Sequence, residues 1–95
     1  MPERNELKAV RVRVSGSVQG VGFRYYTHRV AVSLGLAGYV RNRRDGSVEA
    51  VAEGNAETVD LFLARVAKGP PGSNVRGITV SELPSAGYDG FDIRI

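Results

Sequence analysis

Between Ala9 and Val14 apolar and polar residues alternate, with Val10, Val12 and Val14 on one side and Arg11 and Arg13 on the other, the period of a half-buried strand. The period then changes. Ser15 to Gly22 places Gly16, Gly20 and Gly22 in a short turn-rich loop. Beyond it Phe23, Tyr26, Val30 and Leu34, with Ala31, recur at helical spacing and predict a first helix that opens near Phe23 and stops at Gly35. Tyr39 to Arg44 and Ser47 to Glu53 flank Asp45-Gly46, which predicts two strands joined by a two-residue hairpin. Asn55 is a suitable N-cap for a second helix whose apolar stripe is Val59, Phe62, Leu63 and Val66, ending at Lys68-Gly69-Pro70. Val75 to Leu83, with Ile78 and Val80 on one face, reads as a fourth strand, and the alternation Phe91, Ile93, Ile95 as a short fifth.

The order β-α-β-β-α-β is that of the ferredoxin-like split βαβ, an α+β fold in which two helices cover one face of a mostly antiparallel sheet of four to five strands. A right-handed crossover through the first helix makes the first two strands parallel, with the third antiparallel between them. Their C-terminal ends then share one edge. The loop Ser15 to Gly22 and the second half of strand two, around Asn42, are therefore expected to converge. Asn42 falls on the same face as Val40 and Arg44, the helix-covered one. Residues 1–7 read as a flexible N-terminal arm and 8–95 as a single domain.

Composition narrows the chemistry. The 95 residues hold no cysteine and one histidine, His28, so disulfides, thiolate zinc sites, thiol nucleophiles and histidine cages are excluded, and no cofactor or metal is expected. His28 lies off the apolar stripe of its helix and is expected to be solvated. Thirteen basic against ten acidic residues give +3, and the sequence pI is 9.7. That balance suits a small anionic partner better than a polynucleotide. Met1 to Lys8 has no apolar leader segment and no stretch approaches the ~20 apolar residues of a membrane span, so the chain is expected to be cytoplasmic, with no membrane partner.

The start of the first helix is unusual. No Ser, Thr, Asp or Asn precedes Phe23, and Arg24 puts a cation where the helix dipole disfavours one. A bound phosphate would answer both features, accepting the N–H groups of Gly20, Val21, Gly22 and Phe23 while Arg24 closes over it. Alternatively Gly22 caps the helix tolerably and Arg24 is a solvated surface arginine. A nucleotide P-loop is excluded, because Gly22-Phe23-Arg24 supplies neither its lysine nor its magnesium-binding hydroxyl.

Val18-Gln19-Gly20-Val21-Gly22-Phe23-Arg24, followed by Gly38-Tyr39-Val40-Arg41-Asn42 and Asp45-Gly46-Ser47-Val48-Glu49, resembles the acylphosphatase family. Gly69-Pro70-Pro71 to Val75 and Phe91-Asp92-Ile93 extend the resemblance over Lys8 to Ile95. Ser17 stands where the family often has a basic residue and Tyr39 where tryptophan is usual.

The resemblance implies metal-free hydrolysis of small acyl phosphates to carboxylate and inorganic phosphate. It implies that the loop, from Gln19 to Phe23, and Arg24 bind the phosphoryl group and that Asn42 orients the attacking water. Inorganic phosphate is then both product and inhibitor; the chain is expected to act as a monomer, without nucleic acid. From position alone Asn42 reads as a structural cap, and the Gln19 side chain as either a ligand contact or a turn brace. Two other readings are a non-catalytic anion-binding or regulatory domain and an RNA-binding ferredoxin-like module. The second is disfavoured because the exposed face of strands one and three carries Arg11 and Arg13 opposite Glu49 and Glu53, which are expected to pair in place of a stacking platform. Arg41, Arg43 and Arg44 are expected to form a solvated hairpin end.

Overall fold

The structure, a computed structural model, describes residues 6–95. Val10, Val12 and Val14, each almost wholly buried, line the inner face of the first strand, β1 (Leu7–Ser17). The chain continues through α1 (Phe23–Ser33), β2 (Ala37–Asn42), β3 (Val48–Asn55), α2 (Ala56–Lys68), β4 (Asn74–Leu83) and β5 (Phe91–Arg94). The sheet order is β4-β1-β3-β2-β5, antiparallel throughout except for the parallel pair β2 and β5. With β3 between β1 and β2, those two strands run parallel to each other, as the crossover rule requires.

One apolar layer joins sheet and helices. Val40 from β2 and Val48, Ala50 and Ala52 from β3 meet Phe23, Val30 and Ala31 of α1 and Val59, Phe62 and Val66 of α2. The caps follow the sequence: the Asn55 side chain accepts from the N–H of Glu57 at 2.9 Å, and α1 gives way to a turn in which the Gly35 N–H donates to the Val32 carbonyl.

Three expectations change. β1 runs on to Ser17, because β4 is long enough to pair with Gly16 and Ser17 after a register shift at Ser15 and Gly16. A Cβ at residue 16 would collide with the Asn74 carbonyl, so glycine permits the bulge. The hairpin between β2 and β3 is not a two-residue turn at Asp45-Gly46. Asn42 pairs with Val48, and residues 43–47 form the connection, closed by the Arg43 N–H to the Ser47 carbonyl at 2.8 Å. Arg44 therefore leaves the strand and does not share its alternation with Asn42. β5 ends at Arg94, and Ile95 is exposed instead of continuing the core face. Residues 1–5 of the expected arm lie outside the described residues, whereas Leu7 already pairs with Asn55 and the Glu6 carbonyl accepts from Ala56.

Candidate active site

Val18 and Phe23 are buried and pin the two ends of the β1 to α1 loop, while Val21 leans on the core between them. The intervening glycines, at φ 77° for Gly20 and 76° for Gly22, take the left-handed conformation that glycine adopts without strain. Gly22 is the N-cap of α1, with no side-chain cap bond and no acidic residue in the first turn. Among the described residues nothing accepts the backbone N–H groups of Gln19, Gly20, Val21, Gly22 and Phe23. A run of unpaired donors at the positive end of a helix is a ready site for an anion.

Arg24 is half-buried beside this run. Its neighbour Phe23 points into the core, which turns Arg24 toward β5, where Nη1 donates to the Arg94 carbonyl at 3.0 Å. That single bond leaves the other N–H donors of the guanidinium fork without a protein acceptor among the described residues.

Asn42 is the last residue of β2, where the chain leaves the ladder. Its position is fixed from two sides. The Gln19 side chain donates through Nε2 to the carbonyls of Arg43, at 2.8 Å, and Ser47, at 2.9 Å, tying the loop to the hairpin. Asp45 Oδ1 accepts from the Ser47 hydroxyl and N–H, bonds that hold its carboxyl below the ordinary aspartate value. A cavity of about 200 Å³ is lined by Val18, Gly20, Gly22, Phe23, Arg24, Tyr25 and Asn42. Arg24 and Asn42, from different elements, thus meet at one site as the topology predicted.

Val21 and the Gln19 side chain do not line the cavity: one packs on the core and the other braces the hairpin. Tyr25, not among the site residues expected from the sequence, does line it; its position directly after Arg24 in the first helical turn is the one signal the sequence offers. The lining holds no carboxylate and no imidazole. A second, more open cavity of about 610 Å³, lined by Arg41, Asn42, Arg43, Arg44, Asp45 and Ile95, shares the Asn42 wall.

Glu49 organises the opposite face of the sheet. It is 3% exposed and receives Arg41 and Arg43 at 2.9 Å and Arg11 at 3.3 Å. Burial pushes its carboxyl upward, but the bonds from Arg43 and Arg41 and their charges outweigh that and hold it below the ordinary glutamate value. Arg41 and Arg43 are therefore not a solvated hairpin end, because the hairpin register sets Arg41 directly opposite Glu49. Glu53 takes no arginine; it accepts the N–H groups of Ala86, Gly87 and Tyr88 and fastens the connection that crosses between the two sheet edges. On this face the Tyr39 ring is covered by Arg94 at 3.9 Å and abuts Tyr88, leaving it unfit as a base-stacking platform. His28 is half-buried, its ring centroid 6.1 Å from that of Phe91, so it is a packing residue more than a solvated one. Among the described residues no three His, Cys, Asp or Glu side chains gather to hold a metal ion, and no helix is long and apolar enough to cross a membrane.

Fold and cavity together define a small α+β protein in which a run of unaccepted loop N–H groups, an arginine and one strand-borne amide meet at a shared cavity. The sequence model of the acylphosphatase family matches residues 10–93. The acylphosphatase of Thermotoga maritima is 52% identical over 88 residues, covering 93% of this chain and 98% of that protein. The crystal structure of acylphosphatase from Bacillus subtilis superposes with a TM-score of 0.90 at 43% identity, covering 95% of this chain and all of that one. The structure of an acylphosphatase from Coxiella burnetii gives 0.89 at 34% identity, covering 93% of each chain. The chain belongs to the acylphosphatase family. It is an enzyme that hydrolyses acyl phosphates, and the readings as a regulatory or RNA-binding module are not favoured.

Proposed function

We propose that the N–H groups of Gln19 to Phe23 and the Arg24 guanidinium hold the phosphoryl group and that Asn42 orients the water that attacks it. The observation carrying this division is the 19–23 run of unaccepted N–H donors sharing one cavity with Arg24 and Asn42. Gln19 contributes to the ligand through its backbone, since its side chain is committed to the hairpin.

The chemistry asks for little more. Water oxygen forms a bond to phosphorus as the bond from phosphorus to the acyl oxygen breaks, and the electron pair leaves with the carboxylate. A carboxylate is a stable anion near neutral pH, with a pKa of about 4, and needs no proton to depart. The water proton passes to a phosphoryl oxygen. Catalysis then consists of neutralising phosphoryl charge, which the amides and Arg24 do, and of placing water in line, which the Asn42 amide oxygen does as an acceptor.

On the same reading the reaction needs no metal, and inorganic phosphate is product and competitive inhibitor. The chain works as a monomer in the cytoplasm without nucleic acid, and residues 8–95 act as one domain. Amide chemical shifts during a phosphate titration test the cradle. The N–H signals of Gln19 to Phe23 should move together and saturate; signals that stay still while acetyl phosphate is hydrolysed would place the phosphoryl group elsewhere.

A further inference from the structure

Tyr25 stands at the mouth of the cavity with 67% of its surface exposed, the most exposed of the α1 residues lining it. Its direction follows from its neighbours. Successive helical residues turn by about 100°. Phe23 enters the core, Arg24 reaches β5, and the Tyr26 hydroxyl donates to the Arg65 carbonyl of α2 at 2.8 Å. The remaining direction, away from the sheet, is left to Tyr25. Its hydroxyl has no partner among the described residues, so neither fold nor core requires this aromatic.

Displacement at phosphorus is in line: the leaving group departs on the side opposite the nucleophile. Asn42 lies on the sheet, so water placed by Asn42 attacks from the sheet side and the acyl group points outward, to the rim that Tyr25 occupies. The only charged side chain in the lining is Arg24, already directed to the phosphoryl group, so the acyl end meets an aromatic ring and no ion. Resting on the placement of water proposed above, we infer that Tyr25 reads the acyl group and favours aromatic acyl phosphates over short aliphatic ones.

The test compares kcat/KM for benzoyl phosphate and acetyl phosphate in the wild type, Tyr25→Ala, Tyr25→Phe and Asn42→Ala enzymes. A stacked ring pair of ordinary strength predicts that the benzoyl to acetyl ratio falls about three- to tenfold in Tyr25→Ala. The ratio should stay within about twofold of wild type in Tyr25→Phe, which keeps the ring. Asn42→Ala should lower kcat for both substrates alike. An unchanged ratio in Tyr25→Ala beside a crippled Asn42→Ala overturns the acyl assignment alone, as does an equal fall in Tyr25→Phe. Wild-type turnover in Asn42→Ala overturns the placement of water and the acyl assignment with it.

Discussion

Gln19 and Arg43 are joined by a hydrogen bond of 2.8 Å from Nε2 of the first to the backbone carbonyl of the second, the residue directly after Asn42. The same nitrogen donates to the Ser47 carbonyl at 2.9 Å, so one side chain spans both ends of the hairpin connection and ties the β1 to α1 loop to the strand end that carries Asn42. Gln19→Ala removes both bonds. Its kcat should fall about tenfold, the cost of a misplaced catalytic group, with the fold destabilised by about 1–2 kcal/mol. Gln19→Glu offers only acceptors to two carbonyls and should be at least as damaging. Steady-state kinetics on both variants check this; a Gln19→Glu enzyme with wild-type kcat would show that the brace does not matter.

Arg24 opens a helix in which a cation is disfavoured, and its one bond within the protein is to the exposed Arg94 carbonyl. Removing it should change stability by less than about 1 kcal/mol in either direction, since the lost bond and the relieved dipole offset each other. Activity should respond very differently. In the proposed role Arg24 would hold the phosphoryl group through two N–H prongs, which a lysine cannot reproduce, so Arg24→Lys should be almost as inactive as Arg24→Ala. Thermal melts beside acetyl phosphate kinetics decide the matter, and wild-type turnover in Arg24→Lys would reduce the role of Arg24 to charge alone.

Glu49 gives the fold an acid-sensitive point. Its folded pKa is lowered, so its contribution is fully present above the ordinary glutamate pKa of about 4.3 and disappears as pH falls through the lower folded value. Glu49→Gln should lose about 1–3 kcal/mol at neutral pH, because Arg11, Arg41 and Arg43 lose their shared carboxylate. The loss should shrink in acid, where wild type has lost the same charge. Denaturation curves at pH 7 and pH 3 measure it; an equal gap at both would remove Glu49 as the titrating group.

Hydrolysis should continue undiminished in EDTA, and inorganic phosphate should inhibit competitively by filling the amide cradle. Loss of activity to chelator with recovery on adding a divalent ion would contradict the metal-free cradle, as would insensitivity to phosphate.

The meeting of Arg24 and Asn42 was legible because the helical and strand periods fixed the element order, and the handed crossover then fixed which strand ends share an edge. What the pattern could not give were contacts set by side-chain chemistry across elements. Asp45-Gly46 signals a tight hairpin, yet Asp45 accepts from Ser47 and draws residues 43–47 into a longer turn. The resulting register sets Glu49 opposite Arg41, a pairing that shifts by one residue with loop length. Likewise the two acceptors of Gln19 lie in a hairpin distant in sequence, which no local spacing announces. Tyr25 is not legible in the sequence because an exposed aromatic in a helix carries no periodic signal.

The division of labour between holding phosphate and placing water is tested most directly by Asn42→Ala, with acetyl phosphate turnover and phosphate affinity measured on the same folded sample. On the proposed division Asn42 would touch water and not the phosphoryl group, so phosphate affinity should stay within a few-fold of wild type while kcat falls by about a hundredfold or more. Wild-type turnover with normal phosphate binding would make Asn42 a structural cap and leave the attacking water without a holder among the residues of this cavity.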